Sequence, residues 1–349
     1  MHRPGERTFA VPIAACAVAV CVAAERAQAG DFDQKELSLR LPAALSRFSP
    51  YGDVASVGGA SAGSKWSSSV NPASSAWTPI PGNLHLSFSP QYSQVPFREG
   101  TRLHVAAEAI TWQTDAYGTF QPALAQARTN RATTRQGLDF RMDIDLVQIQ
   151  WARKIAEDWA FGANFNFARS RTRFDLGPAD VSDSRGETYG WRFGALRRIG
   201  DGLLAGLVLD YAFSPTRTTL HDFLGLGVGD VRIRDTVHQF AIRPGISYEY
   251  RKDSAIYLDY QYGAFHDDTG RLQVHRFMLG VDHGFTTWLF GRGGAALDTE
   301  GNVSWTAGLG IYPCERVTFD IAYQNNMFPE LEPEFGRSHT IVFSVGIAF

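Results

Sequence analysis

From Ile341 to Phe349 an apolar residue occupies every second position: Ile341, Phe343, Val345, Ile347 and Phe349. Successive side chains of a strand point to opposite faces, so these five share one side and Ser344, Gly346 and Ala348 share the other. A strand that is greasy on one side and small or polar on the other suits a wall between lipid and an aqueous lumen. About ten residues is also what a tilted strand needs to cross a bilayer. The pattern recurs upstream in Leu203-Ala205-Leu207-Leu209-Tyr211-Phe213, Ile256-Leu258-Tyr260-Tyr262, Val303-Trp305-Ala307-Leu309-Ile311 and Val317-Phe319-Ile321-Tyr323. Their alternate positions, among them Asp210, Asp259, Gln261, Thr306, Asp320 and Gln324, then face inward. The expectation is an all-β protein, a transmembrane antiparallel β-barrel.

Composition agrees with this reading. Hydrophobic residues make up 44% of the chain, yet the mean hydropathy is only −0.18, as expected when lipid-facing and lumen-facing residues alternate. Past the first residues no segment stays apolar for 18 positions, which excludes a helical membrane protein. Aromatics at 13% and 34 glycines suit interfacial girdles and tight turns. A net charge of −3 with mixed signs argues against a nucleic-acid partner.

The first residues read as a secretory signal peptide over 1–29. Arg3 and Arg7 precede an uncharged apolar run from Phe9 to Ala24, and Ala27-Gln28-Ala29 forms the cleavage box. Its removal leaves a single cysteine, Cys314, so neither a disulfide nor a cysteine-based metal cluster is expected. The terminal residues Phe343, Val345, Ile347 and Phe349 have the form that the outer-membrane assembly machinery reads, and they are the expected assembly signal. Residues 30–82 lack strand periodicity. They hold a Gly- and Ser-rich run together with Phe48, Tyr51, Trp66 and Trp77, large side chains that a free linker seldom keeps.

Within that region Gly58-Gly59-Ala60, a small-residue stretch and then Asn71-Pro72-Ala73 stand just after the signal peptide and just before the first strands. This arrangement resembles the FadL/TodX-type outer-membrane transport protein family. The resemblance implies an N-terminal plug, residues 30–82, inside a 14-stranded barrel, residues 83–349, with the Asn71-Pro72-Ala73 turn packed on the inner wall. It also implies passive uptake of hydrophobic small molecules, long-chain fatty acids or aromatic hydrocarbons, by a monomer in the outer membrane, with lateral exit into lipid through a kinked strand. A structural or secretion-associated scaffold of the same superfamily, transporting nothing, is the alternative. Counting back from Phe349 gives fourteen strands if Tyr117–Arg128 holds a strand distorted by Pro122, and twelve otherwise; fourteen is expected.

Three features interrupt the strand pattern and are candidate wall defects: Pro122, Pro244-Gly245, and a parity flip at Leu146/Val147 that a bulge would produce. Charge is expensive in lipid, so Arg141, Asp143, Asp145, Arg192, Arg243, Glu249, Arg276 and Asp282 are expected to face the lumen. Arg141, Arg243 and Arg276 are candidates to meet a substrate carboxylate. Long extracellular loops are expected at 174–188, 214–235 and 328–338. His266-Asp267-Asp268-Thr269-Gly270 resembles the signature of an outer-membrane phospholipase, but Asp268 replaces the nucleophilic serine, so a hairpin is expected and no catalytic residue. His221, His238, His275 and His283 are read as lumen or loop residues. No metal site, cofactor or phosphate loop is expected.

Overall fold

The structure is a computed structural model. It describes residues 37–45, 57, 60–65, 67–77, 85–96, 102–129, 132–133, 139–221, 230–268, 270–314 and 316–349. The signal-peptide reading and the motif residues Gly58 and Gly59 lie outside the described residues.

Fourteen antiparallel strands form the wall: β1 His85–Pro96, β2 Arg102–Thr114, β3 Gly118–Thr129, β4 Asp139–Lys154, β5 Trp159–Leu176, β6 Ala179–Gly200, β7 Leu203–Leu220, β8 Val231–Arg251, β9 Ser254–His266, β10 Arg271–Gly284, β11 Leu289–Asp298, β12 Val303–Cys314, β13 Val317–Asn325 and β14 His339–Ala348. A two-residue bridge, Ala132–Thr133, also pairs with β4. Each strand pairs with its sequence neighbours, and β1 pairs with β14 from Ser87↔Ala348 to Gln94↔Ile341. Pairing of β3 with β4 from Thr119↔Ala152 to Arg128↔Asp143 completes the ring. Closure leaves no strand edge, the condition for strands to stand in hydrocarbon. The strand through Pro122 is thus real, and fourteen is the count.

The outer face carries the apolar residues that the alternation predicts. Ile110, Ile149, Leu258, Phe277 and Phe343 are each 48–55% exposed, while their chain neighbours point inward. Aromatic rings border this band. Toward one end Phe167, Tyr189 and Phe213 stand in cross-strand register with centroids 5.3 and 5.2 Å apart, and toward the other end Phe161 faces Phe193. From Trp159 to Phe167 the chain climbs roughly 26 Å along β5, about 20 Å of membrane normal at the usual tilt, close to the height of a barrel's lipid-facing band.

Two expectations fail. The parity flip at Leu146/Val147 is not a bulge, because β4 pairs without a register shift on both sides. The flip records a change of environment along a straight strand. Val147 and Ile149 face lipid, whereas Phe140 and Met142 face inward and pack with Leu103, Val105, Phe328, Leu331 and Phe335. Nor is 174–188 a long loop: β5 and β6 run on beyond the girdle to a turn at Gly177, and β7 and β8 likewise extend into 214–235. The 328–338 connection is a true loop that folds into the mouth, with Phe328, Leu331 and Phe335 buried beside Ala44 of the helix Leu37–Leu45 (α1).

A test of the outer face is Leu258→Arg. At the middle of the band it should destabilise the barrel by about 2–4 kcal/mol in guanidinium unfolding from bilayers. A water-facing position would change by about 0.5 kcal/mol or less.

Candidate functional site

The N-terminal segment 57–77 lies on the lumen face, opposite the lipid-facing parity, and the wall is cut back to glycine where it sits. A Cβ on Gly206 would come 1.8 Å from the Ala62 carbonyl oxygen, one on Gly194 2.1 Å from Asn71 Oδ1, and one on Gly162 2.4 Å from the Pro72 carbonyl carbon. No side chain fits such an approach. Phe161, Phe193 and Leu207 beside these glycines are exposed on the opposite face, which fixes the segment on the inside.

Polar bonds fix its register. Asn71 Nδ2 donates to the carbonyls of Ala62 at 2.7 Å and of Ala195 in the wall at 3.0 Å. Its Oδ1 accepts from the amide of Ala73, capping the 3-10 turn Pro72–Ala76. Asp259 Oδ2 on β9 accepts from the amides of Ser61 and Ala62 at 2.8 and 2.7 Å. The Ser247 hydroxyl donates to Gly63, Arg192 Nη1 to the Ser69 carbonyl, and Lys65 pairs with Glu249 at 2.8 Å. Trp77 stands between Lys154 and Arg198, whose cations lie 4.8 and 4.9 Å from its ring.

The wall against which it sits is stitched at its weak points. Proline has no amide to donate, and at Pro122, Pro215 and Pro244 the ladder on one side skips two residue pairs while its register stays unchanged. In each gap the residue before the proline bonds through its side chain to its own register partner on the next strand. Gln121 donates to Thr111 at 3.2 Å, Ser214 and Thr188 hydroxyls lie 2.7 Å apart, and Arg243 donates to Gln261. Pro90 makes a fourth gap, between β1 and β14.

At the Pro244 gap these features converge. Pro244 itself is exposed on the outer face, while a Cβ on Gly245 would meet Asp259 Oδ1 at 2.1 Å and Ala62 at 3.0 Å. Gln261, the stitch partner of Arg243, is the register neighbour of Arg276, which is in turn opposite Asp298. Arg276 and Glu330 are both buried, and with Ala43, Gln261, Gly263, Phe265 and Val274 they line a pocket of about 10 Å³. That is room for about one water.

No protein-family model matches the chain, and no curated protein matches it. Solved structures do. The chain is similar to the toluene transporter TbuX of Ralstonia pickettii at 13% identity, with a TM-score of 0.57 over 86% of this chain and 97% of that one. It is also similar to the toluene transporter TodX of Pseudomonas putida (11%, 0.53, 85% and 97%) and to a FadL homologue of Pseudomonas aeruginosa (12%, 0.53, 84% and 96%). The fold is that of the FadL-type channels.

Asn71, Pro72 and Ala73 are buried against β5 and β6. Arg243, Arg276 and Pro244-Gly245 come together. Arg141 does not join them. It is exposed on the outer face of β4 with Asp143 and Asp145, which pair with Arg128 at 3.0 and 2.9 Å. These charges tolerate the outward face because they lie beyond the apolar band. His238, His275 and His283 are also on the outer face, their Nδ1 atoms 3.2, 2.6 and 2.8 Å from the hydroxyls of Tyr211, Tyr260 and Tyr250. The lumen reading for these three histidines is therefore corrected. His221 stands beside Asp230 at the β7–β8 loop. At 266–270 the hairpin is closed by Asp267 and Gly270, and His266 stacks on His238 rather than meeting a carboxylate. At the opposite end a tight turn through Lys252 and Asp253 joins β8 to β9, with Asp253 at φ 60°. Among the described residues no three His, Cys, Asp or Glu side chains converge as a metal site would need.

The seat predicts that Gly194→Leu assembles as a barrel but displaces 57–77. Limited proteolysis should then cut within 57–77 at least ten times faster than in the wild type, with the heat-resistant gel form of the barrel retained. Equal protection would show that the glycine approach is not what holds the segment.

Proposed function

We propose that the chain is an outer-membrane channel that passively admits hydrophobic small molecules, and that residues 30–82 act as its plug. The observation that carries this reading is the Pro244 gap. A missing ladder bond in lipid costs several kcal/mol unless something inside covers it, and here the N-terminal segment covers it through Ala62 and Asp259. A segment that both fills the lumen and seals a break in the wall couples its own displacement to a lateral opening. The solved neighbours are described as transporters of toluene and as a monoaromatic hydrocarbon channel, which supports aromatic hydrocarbons as the cargo class. Arg243 and Arg276 beside the gap would meet a carboxylate where the cargo carries one. Catalysis is not part of the proposal.

A scaffold role is the second reading. It is favoured by the bonds that hold residues 60–77 on the lumen face, since this segment would have to move before cargo passed it.

Two experiments separate them. Deleting 30–77 should leave a barrel that assembles but raises the permeability of liposomes to small polar solutes. Unchanged permeability would remove the plug from the proposal. Pro244→Val restores the amide donor and should close the gap, lowering uptake of a hydrophobic substrate severalfold while barrel abundance and heat resistance hold or rise. Wild-type uptake by a normally assembled variant would leave Pro244 as a shaping residue only, and absence of any uptake in the wild type would favour the scaffold.

A further inference from the structure

The outer wall carries a row of arginines that the channel reading does not use. Arg171 on β5 is the direct register partner of Arg185 on β6, Arg185 of Arg217 on β7, and Arg217 of Arg234 on β8. Opposed residues of adjacent strands have their Cβ atoms about 4.5–5.5 Å apart, and like charges placed so destabilise a sheet. Four in succession therefore need a counter-charge.

The protein supplies it at one end only. Arg171 is held by Asp183 at 2.5 Å, and Arg185 reaches the same carboxylate at 3.4 Å. Partial burial works to raise the pKa of Asp183, but the hydrogen bonds from Arg171 and Arg185 outweigh it and hold the group below the ordinary carboxylate range. Arg217 and Arg234 are exposed and have no ion pair among the described residues. On their own strands the flanking outward positions, Pro215, Thr219 and Thr236, hold no carboxylate, and the nearest ones on β6, Asp183 opposite Thr219 and Glu187 beside Arg185, are engaged by Arg171 and Arg185 and by Arg169.

The height of the row says what meets it. Phe167, Tyr189, Phe213 and His238 form the aromatic row on the same four strands, also in direct register. Each arginine stands two outward positions beyond its aromatic, roughly 10 Å along the membrane normal at the usual tilt. Aromatic girdles sit at the headgroup level, so flexible arginine side chains just beyond them reach headgroup phosphates. Guanidinium pairs phosphate bidentately, which suits a row of them better than a diffuse basic surface would.

We propose that Arg171, Arg185, Arg217 and Arg234 form a binding site on the outer wall for the phosphates of a phosphorylated glycolipid in the extracellular leaflet. Charge complementarity, the unbalanced Arg217–Arg234 end and continuity with the girdle select a lipid rather than a soluble partner. The proposal rests on the outer-membrane reading for its leaflet, but not on transport.

The test uses the full chain as a folded barrel in detergent and measures lipid binding by native mass spectrometry. The probes are bisphosphorylated lipid A and the same acylated disaccharide without phosphates. The wild type should favour the phosphorylated form at least tenfold, and the preference should fall as salt rises. Arg217→Gln with Arg234→Gln should remove about tenfold of that affinity and leave binding of the phosphate-free form unchanged. Should that variant lose its heat-resistant gel form, Arg217→Lys with Arg234→Lys keeps the charge, loses the bidentate geometry and should lose about threefold. Equal binding of the two lipids, or full affinity in folded variants, would overturn the proposal. So would complete displacement by millimolar inorganic phosphate, which would make the row a free-anion site, or capture of an acidic protein in place of lipid. None of these outcomes touches the uptake reading, which fails by its own liposome measurement, and absence from outer-membrane fractions would fail the location without altering the binding result.

Discussion

Backbone hydrogen bonding in a medium without water is the constraint from which the rest of this structure follows. Each amide and carbonyl of the wall must find a partner within the sheet, so β3 meets β4 and β1 meets β14, and the ring has no free edge. At Pro122, Pro215 and Pro244, where the ladder bond is impossible, the chain substitutes a side-chain bond between the residue before the proline and its register partner. These stitches keep the strands in register across the gap. They are also weaker than the ladder they replace, because each is a single side-chain contact.

The lumen solves a different problem, that of holding an irregular segment against a sheet. Glycine at 162 and 206 lets the segment's backbone, and glycine at 194 the side chains of Asn71 and Pro72, approach the wall more closely than any side chain allows. Asn71 and Asp259 then satisfy amides and carbonyls that have no ladder of their own. Farther round the ring, Arg292 with Asp282 and Asp320 ties β10, β11 and β13 together inside the lumen, where burial leaves charges no alternative to pairing.

Height along the strand decides what each face means. Within the band, outward positions are apolar and inward ones polar. Beyond the girdle the rule reverses, with arginines outside and Phe140, Met142, Leu103 and Val105 inside against the folded 328–338 loop. The strands do not change register at this boundary; only their surroundings change.

Period-two alternation was enough to determine the barrel and the outward faces within the band, because a strand's side chains alternate wherever it lies. Asn71-Pro72-Ala73 and Pro244 were legible for a similar reason: the asparagine caps its own turn, and proline's missing amide is a property of the residue alone. Gln121, Ser214 and Arg243 could have been found as stitches by asking what precedes each in-strand proline, yet their partners 10, 26 and 18 residues away depend on register. Alternation carries no information about height, so Arg141 and the flip at Leu146/Val147 were misread from sequence, as were His238, His275 and His283. Only the tertiary structure decided how far each strand rises past the girdle, which loop folds into the mouth, and which arginines stand side by side, since all three are set by pairing between segments distant in the chain.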